Sequence, residues 1–164
     1  SVSTGAVLIA PAIPGNHPTL WNPSDSGRNV SLVRLDVSYR TGDNAPTAIE
    51  WASTTSTGSQ IGTAAPVVAF TAVAPVGVLG GAVDNKARWS PTTNSFLAAP
   101  TFFRPTGLSL YTGLAATAVA PFILRAEYDG DFVIGPGNAI SLCAQAATTT
   151  AAFQIAVTWE EVSV

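Results

Sequence analysis

Apolar residues recur at every second position through most of this chain, a period that fits strands and excludes long amphipathic helices. From Asn29 to Arg40, the residues Val33, Leu35, Val37 and Tyr39 share one face, and Arg34, Asp36, Ser38 and Arg40 share the other. Such a segment is a strand with one side in a core and one in water. In Thr47 to Ser53 the same alternation sets Ile49 and Trp51 against Ala48, Glu50 and Ala52. It also sets Phe122, Leu124, Ala126 and Tyr128 against Ile123, Arg125 and Glu127, and Phe153, Ile155, Val157 and Trp159 against Gln154, Ala156, Thr158 and Glu160. No long window carries apolar residues at i, i+3, i+4 and i+7, and the Ala-rich stretch Leu114 to Ala120 stops at Pro121.

Shorter strands are expected at Ala6 to Ala10, Val67 to Val73, Ala87 to Ser90, within Phe102 to Tyr111, and at Ala139 to Ala144. Asp129-Gly130 between apolar runs is a hairpin signal. Gly135-Pro136-Gly137-Asn138 makes a second tight turn, and Thr41-Gly42-Asp43-Asn44 closes the long strand. Roughly eight to ten strands with frequent turns indicate a sandwich or barrel, and eight strands in two Greek keys make a jelly roll. The absence of a repeat period argues against a solenoid or propeller. Pro11, Pro14, Pro18 and Pro23 predict that residues 1–28 run as an extended strap with little regular pairing, ahead of a domain over residues 29–164.

Charge narrows the function classes. Lys and Arg number 7 and Asp and Glu 10, or 10% of 164 residues, against about 25% in ordinary soluble domains. A globule of this mass exposes on the order of 7,600 Å², so such a surface is poorly protected from association. The net charge of −3 argues against nucleic acid as a partner, since nothing here neutralises several phosphates together. A hydrophobic content of 47% argues against disorder. The uncharged run Ala64 to Val83 is long enough to span a bilayer, but Pro66, Pro75, Gly77, Gly80 and Gly81 interrupt it, and two strands around a turn fit better. No membrane is expected as a partner. The first ten residues lack the basic start of a signal peptide, and Ser1 in a chain without Met points to removal of an initiator or a pro-segment.

Reaction chemistry is sparse. The single Cys, Cys143, alternates with Leu142 and Ala144 and reads as a buried structural thiol; the single His, His17, reads as a loop residue with a polar tip. Glu127, Asp129 and Asp131 read as a solubilised turn ahead of a Ca²⁺ site or a glycosidase pair. No catalytic, cofactor-binding or metal-binding residue is assigned, and no cofactor is expected. Trp51 and Trp159 belong to apolar faces, whereas Trp21 and Trp89 flank turns and are the candidate glycan platform.

Two stretches carry a resemblance. Thr19-Leu20-Trp21-Asn22-Pro23-Ser24-Asp25-Ser26-Gly27-Arg28-Asn29-Val30-Ser31-Leu32 resembles the "L-x-N-P-x-x-S-G-K/R" entry into a long strand in small structural proteins of tailed-phage virions. Gly135-Pro136-Gly137-Asn138-Ala139-Ile140-Ser141-Leu142, with Val157-Thr158-Trp159-Glu160-Glu161-Val162, resembles the closing hairpin of the same proteins. The resemblance implies a jelly-roll protein that forms a homotrimer and acts as a capsid decoration (cement) protein on the outer surface of the virion, with the major capsid protein as partner. A receptor- or glycan-binding jelly roll of a head or tail fibre is the alternative. The uncharged middle, Ala52 to Val83, is then the expected interface with a sister subunit or the capsid, through Val67, Val68, Phe70, Val73, Val76, Val78 and Leu79.

Overall fold

The alternating segments become the long strands of two antiparallel sheets. A computed structural model of the chain describes residues 2–10, 17–42, 47–53, 67–68, 85–90, 95–96, 100, 102–110, 123–146 and 151–164. Among these residues there are twelve strands and no helix: β1 (Val2–Val7), β2 (Thr19–Trp21), β3 (Arg28–Thr41), β4 (Thr47–Ser53), β5 (Val67–Val68), β6 (Arg88–Ser90), β7 (Ser95–Phe96), β8 (Phe102–Leu110), β9 (Ile123–Glu127), β10 (Val133–Ile134), β11 (Ala139–Ala144) and β12 (Ala152–Ser163). The first sheet runs β1-β12-β3-β10, with β9 also on β3; the second runs β6-β2-β11-β4-β8; β5 and β7 pair separately. The architecture is an all-β sandwich.

One continuous core lies between the sheets. The first sheet contributes Val30, Leu32, Leu35 and Val37 from β3 with Phe153, Ile155, Val157 and Trp159 from β12; the second contributes Leu20, Ile49, Trp51, Trp89, Ile140 and Leu142. β2, β4 and β11 carry one charged residue among them, Glu50, and β11 is buried at every position. The polar face of the sandwich is therefore the outer side of β3, β9 and β12.

Alternation in β3 changes phase at Val33. Val30 and Leu32 point inward, then Leu35 and Val37 do, and Val33 is half-buried. Thr158 pairs with Arg34 while Trp159 pairs with Leu32, so Val33 is the extra residue of a β-bulge. This corrects the placement of Val33 on the inner face, because strict period 2 across a bulge misassigns one half of the strand.

Asp129-Gly130 does not turn a hairpin. β9 and β10 both run antiparallel to β3, from Ser38↔Ile123 to Val30↔Ile134. The residues between them form an excursion opposite the bulge, held by Tyr128 N–H to Val33 O (3.0 Å) and Leu32 N–H to Phe132 O (3.0 Å). Asp129 and Gly130 have φ of 43° and 82°, and Asp131 N–H donates to Tyr128 O at 2.8 Å, which is a type I′ turn. A Cβ on Gly130 would meet only Ser31 Oγ, at 3.8 Å, so Gly130→Ala should cost about 1 kcal/mol through backbone conformation alone. Denaturant titration of the variant checks this.

The N-terminal strap differs from expectation. β1 pairs with β12 along its whole length, and β2 lies between β6 and β11 inside the second sheet. Residues 2–7 and 19–21 are thus integral to the sandwich. Pro18 and Pro23 flank β2 without entering it, as a residue lacking an N–H must; Pro11 and Pro14 lie outside the described residues.

Candidate functional site

The two resembling motifs meet in space around Asn22. This residue is fully buried, and its Nδ2 donates to Arg28 O (2.8 Å) and Ile134 O (2.9 Å). Its backbone N–H donates to Asn138 O (2.9 Å), and its carbonyl accepts from Gly137 N–H (2.8 Å). The Pro23–Gly27 turn and the Gly135–Asn138 turn are therefore one unit, which sets where β3 and β11 begin. Their role is architectural.

The sandwich is tied at both edges. On one side, the carboxylate of Glu161 in β12 accepts the backbone N–H groups of Lys86 (2.8 Å) and Ala87 (3.0 Å), just before β6, and the Trp159 indole N–H (3.2 Å), with Arg28 at 3.6 Å. On the other, Trp51 Nε1 donates to Tyr128 Oη (2.8 Å). Phe132 packs there against Trp51, Phe102 and Tyr128 at centroid distances of 6.4, 6.3 and 5.9 Å. Arg104 lies 4.9 Å from the centre of the Phe132 ring and pairs with Asp131. Asp131 is thus engaged in a cross-sheet ion pair. Among the described residues, no three His, Cys, Asp or Glu side chains are placed to hold a metal ion.

His17 and Cys143, which sequence reading kept apart, are brought together on the outer side of the second sheet. Cys143 Sγ lies 3.3 Å from His17 Nδ1, and both residues are fully buried. Beside them the hydroxyls of Thr19 and Ser141 share a 2.6 Å hydrogen bond, and Glu50 pairs across the ladder from Cys143. Nucleophilic use of a Cys–His pair requires a thiolate. Here burial pushes the thiol pKa well up and the Glu50 charge adds to the shift, so the proton stays on sulfur. The pair fastens the segment before β2 to β11.

Native Cys143 should therefore resist alkylation at pH 8 and react only on unfolding, as mass spectrometry with iodoacetamide would read. The folded thiol holds its proton to higher pH than the unfolded thiol, which ionises near about 8.5. Its linkage leaves stability unchanged below that range and lowers it as pH rises above. Burial raises the Tyr128 phenol in the same direction, against a smaller opposite effect of its hydrogen bond to Trp51.

The proposed glycan platform is not assembled. Trp89 is fully buried in the core and offers no face to a sugar, whereas Trp21 is half-buried in β2. Trp89 sits in a three-residue strand with Leu20 as its cross-strand neighbour, too short for alternation to reveal. Of the expected interface residues, Val67 and Val68 are described through backbone pairing with Phe96 and Ser95. Phe70, Val73, Val76, Val78 and Leu79 lie outside the described residues, as does most of the uncharged run considered as a membrane span.

Among the described residues, the exposed large apolar side chains are Ile123 and Val133 on the β9–β10 edge of the first sheet, Val162 and Val164 at the end of the chain, and Phe103 on β8. Compared with protein-family models, with curated proteins and with solved structures, the chain matches none.

Proposed function

We propose that this chain is a virion structural protein: a jelly-roll subunit that trimerises and decorates the outer surface of a capsid, cementing the major-capsid lattice. The observation that carries the reading is the charge deficit, 17 charged residues (7 + 10) in 164, in a sandwich that also exposes Ile123 at 70%, Val133 at 53%, Val162 at 56% and Val164 at 74%. Such side chains are costly on a free monomer with few charges and are ordinary in an obligate assembly.

Strand order supports the jelly-roll part. Along the chain β1, β2, β3 and β4 alternate between the two sheets, and β8, β9, β11 and β12 go second, first, second, first. Two nested Greek keys produce this interleaving. Cementing needs no turnover, only many weak contacts across capsomer boundaries, multiplied by three-fold symmetry. Sedimentation equilibrium at micromolar concentration tests the assembly step. A trimer, three times 16.7 kDa, is expected, and a stable monomer would remove the main support.

A further inference from the structure

The first sheet ends on β10, which pairs with β3 and with no other strand among the described residues. The bond from Leu32 N–H to Phe132 O fixes its phase. In the register Val133↔Ser31 and Ile134↔Val30, Phe132 and Ile134 turn their backbone groups toward β3, and Val133 turns its N–H and C=O away from it. Neither of these two groups takes a partner among the described residues, and the Val133 side chain is exposed. β10 is thus an open sheet edge that offers a donor and an acceptor to another chain.

A cleft of about 280 Å³ runs along this edge, between the two sheets. Residues 132–135 form one wall and Ser53, Phe102 and Ile140 of the second sheet form the other, and none of the lining residues is charged. Phe102 and Phe132, one from each wall, stack with ring centroids 6.3 Å apart. The volume lies just below the roughly 300–1,000 Å³ of small-molecule pockets, a size that suits apolar side chains better than a whole cofactor.

The N–H and C=O of one extended residue point the same way, whereas those of a single trans amide point in opposite directions. Val133 is therefore matched by the N–H and C=O of one residue in an extended peptide, and an isolated amide on a small molecule meets only one of its two groups. In such a pair the peptide residue opposite Val133 lies beside it on the outer face, and the residues before and after it point into the cleft. A second copy cannot supply those side chains from its own β10, because Phe132 and Ile134 are buried in their own core. We propose that the β10 edge and this cleft bind an extended, uncharged segment of another protein by strand addition, with two apolar side chains flanking the residue that bonds Val133. The assignment is independent of the virion reading, because it uses only the surface of one chain.

The test is an NMR titration of the 164-residue chain with the peptide acetyl-Gly-Leu-Thr-Leu-Gly-amide. The peptide should shift the amides of Val133 and Gly135, saturate at millimolar concentration, and slow hydrogen exchange at the Val133 N–H, which a merely apolar contact would leave unchanged. An analogue N-methylated at the central Thr keeps every side chain but loses the donor to Val133 O, and should bind at least roughly tenfold more weakly. An analogue with Asp in place of both Leu should not bind, because the cleft holds no charge to meet a buried carboxylate. Val133→Pro removes the edge N–H at an outward position that Pro tolerates, and should weaken the parent peptide by a similar factor; the N-methylated analogue tests the same pairing on the unaltered chain. Absence of shifts, equal binding of either analogue, or unchanged binding in Val133→Pro with a native spectrum would overturn the assignment. So would Val133 shifts that change on dilution of the protein alone, since the edge would then pair with a second copy.

Discussion

Trp89→Ala is expected to destabilise the sandwich by about 3–5 kcal/mol, the range for removing a large aromatic from a well-packed core. Trp89 is fully buried and belongs to the same core cluster as Leu20, Trp51 and Leu142. It is also the only large apolar residue of β6, so truncation empties the edge of the second sheet where neighbours have least chain with which to collapse. A loss of that size is a large fraction of the stability of an ordinary domain, and denaturant midpoints measure it. Trp89→Phe, which keeps a ring in the site, should recover most of it. Any loss of ligand binding in Trp89→Ala would then follow unfolding, and a folded variant of unchanged midpoint would contradict the packing described.

Glu161→Ala is the second large effect, expected at about 2–4 kcal/mol. The side chain of Glu161 is 3% exposed, and its carboxylate accepts from two backbone N–H groups and the Trp159 indole while facing Arg28. Truncation leaves those donors without their acceptor and releases the residue 85–90 segment from β12. Glu161→Gln keeps the shape but removes the charge and turns an amide N–H₂ toward N–H donors, so it should restore little. Glu160→Ala, on the exposed side of the same strand, should change stability by less than about 0.5 kcal/mol. The contrast between neighbouring glutamates separates the seam from general charge effects, and urea titration of the three variants reads it.

Long elements were legible because burial imposes a period over many residues. The strands expected over Thr47–Ser53 and Ala139–Ala144 coincide with β4 and β11, and Asn29–Arg40 and Ala151–Val162 fall within a residue of β3 and β12 at each end. Among the short elements, β6 falls within the strand expected at Ala87–Ser90, whereas β2 and β10, with three and two residues, gave too little alternation to be read. The Asp129-Gly130 turn shows a different limit. Its local chemistry correctly demands positive φ, but whether the flanks pair with each other or with a third strand depends on β3, some ninety residues away.

The site clusters divide in the same way. Glu161 lies two residues beyond Trp159, on the inward phase of β12, so the period already contained its burial. His17 and Cys143 are 126 residues apart, and their contact follows from the adjacency of β2 and β11, which nothing local announces. Each strand's outward face was readable, and the rung that sets Arg125 beside Asp36 required the register.

A subunit that cements a capsid, as proposed here, should rebind to particles that lack it. On the proposed reading, tailed-phage particles stripped of this protein would be mixed with the purified chain and separated by density-gradient sedimentation. The protein is expected to co-sediment with the particles, to saturate in multiples of three per capsomer junction, and to raise the temperature at which they rupture. Protein that stays at the top of the gradient while the particles remain intact would contradict it.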